Sequence, residues 1–312
     1  MDRLTVVGGG AWGRALASQA VRAGRRVTLA SRTETTLANV RTVGLDEATA
    51  AKTDALVLAV PSAATVEVAA RFAPTLAPGT IVVLTAKGLD ADGPRLLSEA
   101  VAATLLGATI VVLSGPSFAD EVALGLPTAV VVAAVPVDAA AAERVARAFH
   151  AEAFRPYVND DPVGVQIAGA AKNVVAIACG MARGVGFGAN AEAALLTRGL
   201  SETSRLGLVL GAKPATFRGL AGVGDLSLTC AGPHSRNFRF GEAVGLGQAS
   251  DAAEATSGLA EGRAAAPLLV HLAAMQGIEM PIAAAVAAVL AGRIGLGDAI
   301  RGLLARPLTS ED

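Results

Sequence analysis

The first thirty residues restrict the fold more than any other stretch. Leu4 to Val7 is a short apolar, β-branched run that stops at Gly8-Gly9-Gly10-Ala11-Trp12-Gly13. Beyond it Ala15, Leu16, Ala20 and Val21 fall at helical spacing until Gly24, and Arg26 to Ala30 reads as a second strand. A strand, a glycine turn, a helix and a strand within about 30 residues make a βαβ unit. Asp54–Val60, Thr80–Leu84, Thr109–Leu113 and Ala129–Val135 are further apolar runs of buried-strand type. Helical patterns at 94–105 and 139–149 lie between and after them. Alternating β and α predicts a doubly wound parallel sheet.

The texture changes after Tyr157. Val158-Asn159-Asp160-Asp161-Pro162 is a turn cluster in which Asn159 or Asp160 can cap a following helix. From Val163 onward strand-like runs mostly disappear. Helices are expected at 163–183, 190–211, 214–221, 238–246, 263–276, 281–291 and 296–304. The expected organisation is an α/β dinucleotide-binding domain over 1–157 and an all-α substrate-binding and catalytic domain over 158–312. The acidic tail Thr309–Asp312 reads as disordered.

Composition removes several classes. A net charge of −1 leaves no broad basic footprint for nucleic acid. At 53% hydrophobic and 17% charged residues the chain is too apolar for disorder. Two cysteines, Cys179 and Cys230, give no disulfide framework and point to a reducing compartment. Neither has a metal-ligand spacing, and no metal is expected. Mean hydropathy is +0.52, yet the uncharged stretches Val101–Ala119 and Val122–Val137 are interrupted by glycine and proline. They read as buried strands rather than spans. With no signal peptide either, a cytoplasmic protein is expected.

Gly8-x-Gly10-x-x-Gly13 has the Rossmann spacing, and here it follows a strand and opens a helix. The first glycine makes the turn, the second lets the backbone approach a pyrophosphate, and the third packs helix on sheet. The helix N-terminus favours the anion. Where NAD sites usually place a carboxylate, at the end of the second strand, this chain has Ser31-Arg32-Thr33. Arg32 can stack on adenine or pair with a 2′-phosphate. That favours NADP, or tolerance of both forms; a solvated arginine is the alternative.

Lysine is the scarce basic residue: four lysines stand among 26 basic residues. Lys87, in Thr85-Ala86-Lys87-Gly88-Leu89, follows a strand and faces the ligand crevice, as does Ser114-Gly115-Pro116-Ser117-Phe118-Ala119. Lys172 stands beside Asn173 in an otherwise apolar helix, where burial suits it to acid–base work. Asp225 is placed in an apolar, glycine-rich loop, Gly219–Leu226. Ser235-Arg236-Asn237 offers a guanidinium fork and neutral donors for phosphate. His234, a candidate general acid, has no carboxylate nearby in sequence. His150, His271 and both cysteines read as structural, and Lys52 and Lys213 as surface charges.

Together GGGAWGRALA, TAKGL, SGPSFADEV, AGAAKNVVAIACG, GLAGVGDLSLTC, SRNFRFG and IEMPI resemble the bacterial-type NAD(P)-dependent glycerol-3-phosphate dehydrogenase family, from residue 3 to about 300. The resemblance implies reversible reduction of dihydroxyacetone phosphate, supplying glycerol 3-phosphate for phospholipid synthesis. It implies Lys172 as proton donor or acceptor, with Lys87 and Asp225 in the catalytic set. Lys87, Gly115, Ser117, Lys172, Asp225, Ser235, Arg236 and Asn237 match substrate contacts. Gly8, Gly10, Ala11, Trp12, Gly13, Arg32, Lys87, Ala119, Arg236, Leu259 and Glu261 match the cofactor side.

Two departures stand out. Ala11 replaces a common serine, and the stretch between Arg32 and Asp54 is short, which bears on the adenosine side of the site. The alternatives are a related reductase of another small hydroxy acid, such as ketopantoate, and a non-catalytic NADP(H)-sensing regulator. The apolar, alanine-rich helical half leaves room for a homodimer interface.

Overall fold

The apolar runs of the first half pair into one sheet in a computed structural model that describes residues 1–33, 35–49 and 52–305. The acidic tail Thr309–Asp312 lies outside the described residues. The strands are β1 (Arg3–Val7), β2 (Arg26–Ala30), β3 (Val40–Val43), β4 (Ala55–Leu58), β5 (Ile81–Leu84), β6 (Thr109–Ser114), β7 (Thr128–Ala133) and β8 (Phe154–Asn159). Their order is β3-β2-β1-β4-β5-β6-β7-β8. Helices α1 (Ala11–Arg22), α2 (Leu45–Thr49), α3 (Ser62–Ala70), α4 (Leu97–Thr104), α5 (Ala119–Leu124) and α6 (Ala139–Phe149) connect them or follow them. The order reverses between β1 and β4, so a ligand crevice opens beyond their carboxyl ends.

The sheet is not wholly parallel: β7 pairs antiparallel with β6, and β8 then pairs parallel with β7. The link between β6 and β7 holds the six-residue α5, stopped by the left-handed Gly125. Two strands escaped the sequence reading. β3 and β8 are the edges of the sheet and are only partly buried, so neither forms a continuous apolar run. β8 also extends to Asn159, so a boundary after Tyr157 falls inside a strand.

From Pro162 every described regular element is helical. These are α7 (Pro162–Gly184), α8 (Ala189–Val209), α9 (Pro214–Arg218), α10 (Asp225–Cys230), α11 (Arg236–Gly245), α12 (Ser250–Ser257), α13 (Glu261–Met275), α14 (Pro281–Leu290) and α15 (Leu296–Leu304). Helix α10 and helix α12 were not expected. Helix α7 is the axis of this half. Asp161, rather than Asn159 or Asp160, caps it by accepting from Gly164 N at 2.8 Å, and Pro162 supplies a pre-set first turn. Every residue from Gly164 to Ala182 is buried. Among the described residues α7 alone is long and apolar enough to cross a membrane, but 94% of that window is covered by the protein itself.

Helix α11 lies directly on α7. A Cβ at Gly180 or Gly184 would overlap backbone of α11, and one at Gly241 or Gly245 would overlap backbone of α7. These four glycines, spaced four apart on each helix, let the two backbones touch. The contact brings the start of α11 beside the middle of α7, where Lys172 stands.

Candidate active site

The crevice is built first from glycine. Gly8 has φ +123°, and Gly13 admits no Cβ against the Gly8 carbonyl. The turn is thereby tight enough for α1 to start at Ala11 with its first amides facing the opening. Gly10 caps α1 with no side-chain hydrogen bond, and a Cβ there would meet open space. The arrangement fits a dinucleotide pyrophosphate. Gly10, Ala11, Trp12, Ala119, Leu259 and Glu261 line a cleft of about 770 Å³ with Lys87 and Lys172 at its floor.

Three charges meet at that floor. Lys172 Nζ donates to Asp225 Oδ1 at 2.6 Å and to Thr229 Oγ1 at 2.8 Å. Lys87 Nζ donates to Asp225 Oδ2 at 2.6 Å and to the Gly115 carbonyl at 2.9 Å. The Asp225 side chain is 1% exposed, Lys172 is 9% and Lys87 is 16%. Burial pushes Lys172 down to about 8, against the pull of Asp225, and the neighbouring Lys87 cation adds to the fall. Burial opposes the Asp225 charge too, but the two lysines together keep its carboxyl below the ordinary range. One carboxylate thus fixes two ammonium groups, one of them poised to lose its proton near neutral pH.

Amides tie the surrounding walls. Asn173 Nδ2 donates to the Lys87 carbonyl at 3.2 Å, and Asn237 Nδ2 donates to Asn173 Oδ1 at 3.0 Å. Gly262 N donates to Asn237 Oδ1 at 3.0 Å. A run of hydrogen bonds therefore joins the strand loop holding Lys87 to α7, α11 and α13. Ser235 is the N-cap of α11, accepting from Phe238 N at 3.3 Å, so Arg236 begins the helix and reaches the cleft. Ser117 Oγ donates to the Gly115 carbonyl at 2.9 Å. Glu261 accepts from Ser62 N at 3.2 Å, and burial raises its carboxyl pKa.

The structure revises several readings. Gly219–Leu226 is not an open loop: Leu220–Gly224 makes a turn kinked at Gly222, whose φ −89° and ψ −105° are not helical, and Asp225 is the first residue of α10. A Cβ at Gly222 would overlap Phe217 backbone, which explains that glycine. Gly8, Gly13, Gly115 and Asp225 support the cleft from behind its surface, while Arg32 lies exposed at the end of β2, outside the lining. His150 and His271 are exposed rather than packed. His234 does meet a carboxylate, Asp120, distant in sequence. Thr229 and Asn173 were missed as site residues. Thr229 stands four after Asp225, a helical spacing that signals only once α10 is known. Asn173 had its signal in the sequence, as the polar neighbour of Lys172. Among the described residues no group of three or more His, Cys, Asp or Glu side chains is placed to hold a metal ion.

Comparisons with known proteins agree along the whole chain. Residues 38–140 match the family model for the NAD-dependent glycerol-3-phosphate dehydrogenase N-terminus, and residues 161–301 match that for its C-terminus. A Glycerol-3-phosphate dehydrogenase [NAD(P)+] of Bradyrhizobium sp. (strain ORS 278) is 47% identical, covering 99% of this chain and 98% of its own. One from Rhodopseudomonas palustris (strain TIE-1) is 45% identical over 100% and 99%. The crystal structure of glycerol-3-phosphate dehydrogenase from Coxiella burnetii superposes with a TM-score of 0.91 at 36% identity, covering 98% of this chain and 99% of that one. The chain belongs to the NAD(P)-dependent glycerol-3-phosphate dehydrogenase family.

Proposed function

We propose that Lys172 is the proton donor and acceptor for the family's reaction, the reversible reduction of dihydroxyacetone phosphate to sn-glycerol 3-phosphate with NADPH or NADH. The observation that carries this is the buried Lys172–Asp225–Lys87 cluster at the floor of the dinucleotide cleft. The nicotinamide, when bound, supplies a hydride to the ketone carbon. The carbonyl oxygen then gains negative charge, and Lys172 meets it with charge and a proton. Asp225 holds the Lys172 ammonium in place, and Lys87 adds a second cation within hydrogen-bond reach of the same carboxylate.

Arg236, Ser235, Asn237 and Ser117 hold the substrate's phosphate, whose binding energy positions the carbonyl. Gly8, Gly10, Ala11, Trp12, Gly13, Ala119, Leu259 and Glu261 serve the cofactor, and Arg32 its adenosine end. No acidic residue stands at positions 31–33, the end of β2, which supports a preference for NADPH. In this reading residues 1–157 chiefly bind cofactor and residues 158–312 substrate. The assay is oxidation of NADPH or NADH by the purified protein with dihydroxyacetone phosphate. Absence of turnover with both would reject the reading.

Free, buried Cys179 and Cys230 support a reducing, cytoplasmic setting in which the product feeds phospholipid synthesis. A homodimer is supported by an apolar recess of about 1130 Å³ between α7, α8, α14 and α15, whose lining includes neither Lys87 nor Lys172. Light scattering would return twice the chain mass; the monomer mass rules the dimer out.

A further inference from the structure

His234 and Asp120 stand on opposite walls of the cleft. Asp120 is the second residue of α5, which begins just after Ser117 and the cap Phe118. His234 ends the turn before α11 and immediately precedes the Ser235 cap. The His234 Nε2 lies 2.9 Å from Asp120 Oδ2 and 3.1 Å from Oδ1, so it donates to both oxygens of the carboxylate. The Phe118 ring packs on the imidazole with centroids 4.3 Å apart. Arg239 Nη1 donates to the Pro233 carbonyl at 2.6 Å and Arg239 Nη2 to the Ser257 carbonyl at 3.1 Å, which fastens the turn carrying His234. Ser117, Phe118, Asp120, His234, Ser235 and Arg236 all line the same opening.

We propose that the His234–Asp120 pair is a positioning element for substrate recognition, tying the Ser117 loop to the start of α11 so that the two walls hold the substrate's phosphate at a fixed spacing. The inference rests on the assignment of Ser117 and Ser235–Asn237 to that phosphate. The two side chains act through their neighbours: Asp120 fixes the loop presenting Ser117, and His234 fixes the turn presenting Ser235 and Arg236. The hydrogen bond from His234 keeps the Asp120 carboxyl below its ordinary range, in line with an ionised acceptor. The pair is 52% and 62% exposed, so solvent screens it and its effect is modest.

Steady-state kinetics of His234→Ala, Asp120→Ala and the double variant test it, with Arg236→Ala as control. Each single change should raise KM for dihydroxyacetone phosphate about three- to fivefold, and the double variant no further, because both remove one link. KM for NADPH and the melting temperature should change far less. His234→Gln, which still donates to Asp120, should recover most of the loss. Single variants with wild-type KM, or effects that multiply in the double variant, would overturn the proposal. Equal movement of the NADPH constant and the melting temperature would do the same, by exposing a merely structural role. If Arg236→Ala raises KM while the pair's variants do not, the pair fails and the phosphate assignment stands. If Arg236→Ala also leaves KM unchanged, the phosphate assignment falls and this inference with it.

Discussion

In the proposed reading Lys172 carries the chemistry because its surroundings disagree about its charge. Burial drives the proton off, Asp225 keeps it on, and the balance lies near 8. The sign for catalysis follows. Reduction needs the ammonium, so its rate should fall as pH rises through about 8. Oxidation of glycerol 3-phosphate needs the free amine and should rise through the same range. Asp225→Asn removes the charge that retains the proton, so the fall in the reduction rate should move to lower pH. A pH–rate profile unchanged in that variant would detach Asp225 from the proton transfer. Lys172→Ala should lower kcat by roughly 10²–10⁴-fold, measured with saturating substrates; an unchanged kcat would make the lysine structural. This residue was legible because lysine is scarce in the chain and an apolar helix is a costly place for it. Thr229 and the His234–Asp120 pair were not, since each depends on what the fold brings beside it.

At the scale of elements, the α7–α11 contact sets the spacing between Lys172 and the residues proposed to hold phosphate. The glycines at 180, 184, 241 and 245 exist there because backbone meets backbone. Gly241→Ala puts a methyl group into the carbonyl of Ile177. Forcing such atoms into a packed contact costs about 1–3 kcal/mol, and here the obstacle is backbone, so the cost outweighs the helix-propensity gain of about 1 kcal/mol from Ala over Gly. Thermal unfolding should show a lower melting temperature, together with a raised KM for dihydroxyacetone phosphate as the start of α11 shifts. A melting temperature at or above wild type would mean that the helices separate without loss. The glycines were visible in sequence, but spacing by itself did not say which helix faces which. The central strands were legible from their continuous apolar runs. The edge strands β3 and β8 were not, because half-exposed strands carry a mixed pattern. The reversal at β7 was not legible, because apolar patterning does not report strand direction.

Across the whole molecule, the cleft is where a sheet half and a helical half meet. Buried or half-buried polar links cross that meeting: Lys87 to Asp225, Asn173 to the Lys87 carbonyl, and Ser62 to Glu261. The residues assigned to the cofactor come from both sides, the glycine turn and Ala119 from one, Leu259 and Glu261 from the other. A ligand held by both halves stabilises them as one cooperative unit. At a hundred times its Kd, NADPH should stabilise the native state by about 2.7 kcal/mol. For a chain of 312 residues that corresponds to a rise in melting temperature of roughly 4 °C. The prediction is a single transition that moves as a whole in calorimetry. Glu261→Ala removes one contact from the helical side, so it should shrink the shift at the same NADPH concentration. Two separate transitions, of which NADPH moves only one, would show that the cofactor engages one half alone. The carboxylate at Glu261 would then be a cap on α3 and nothing more.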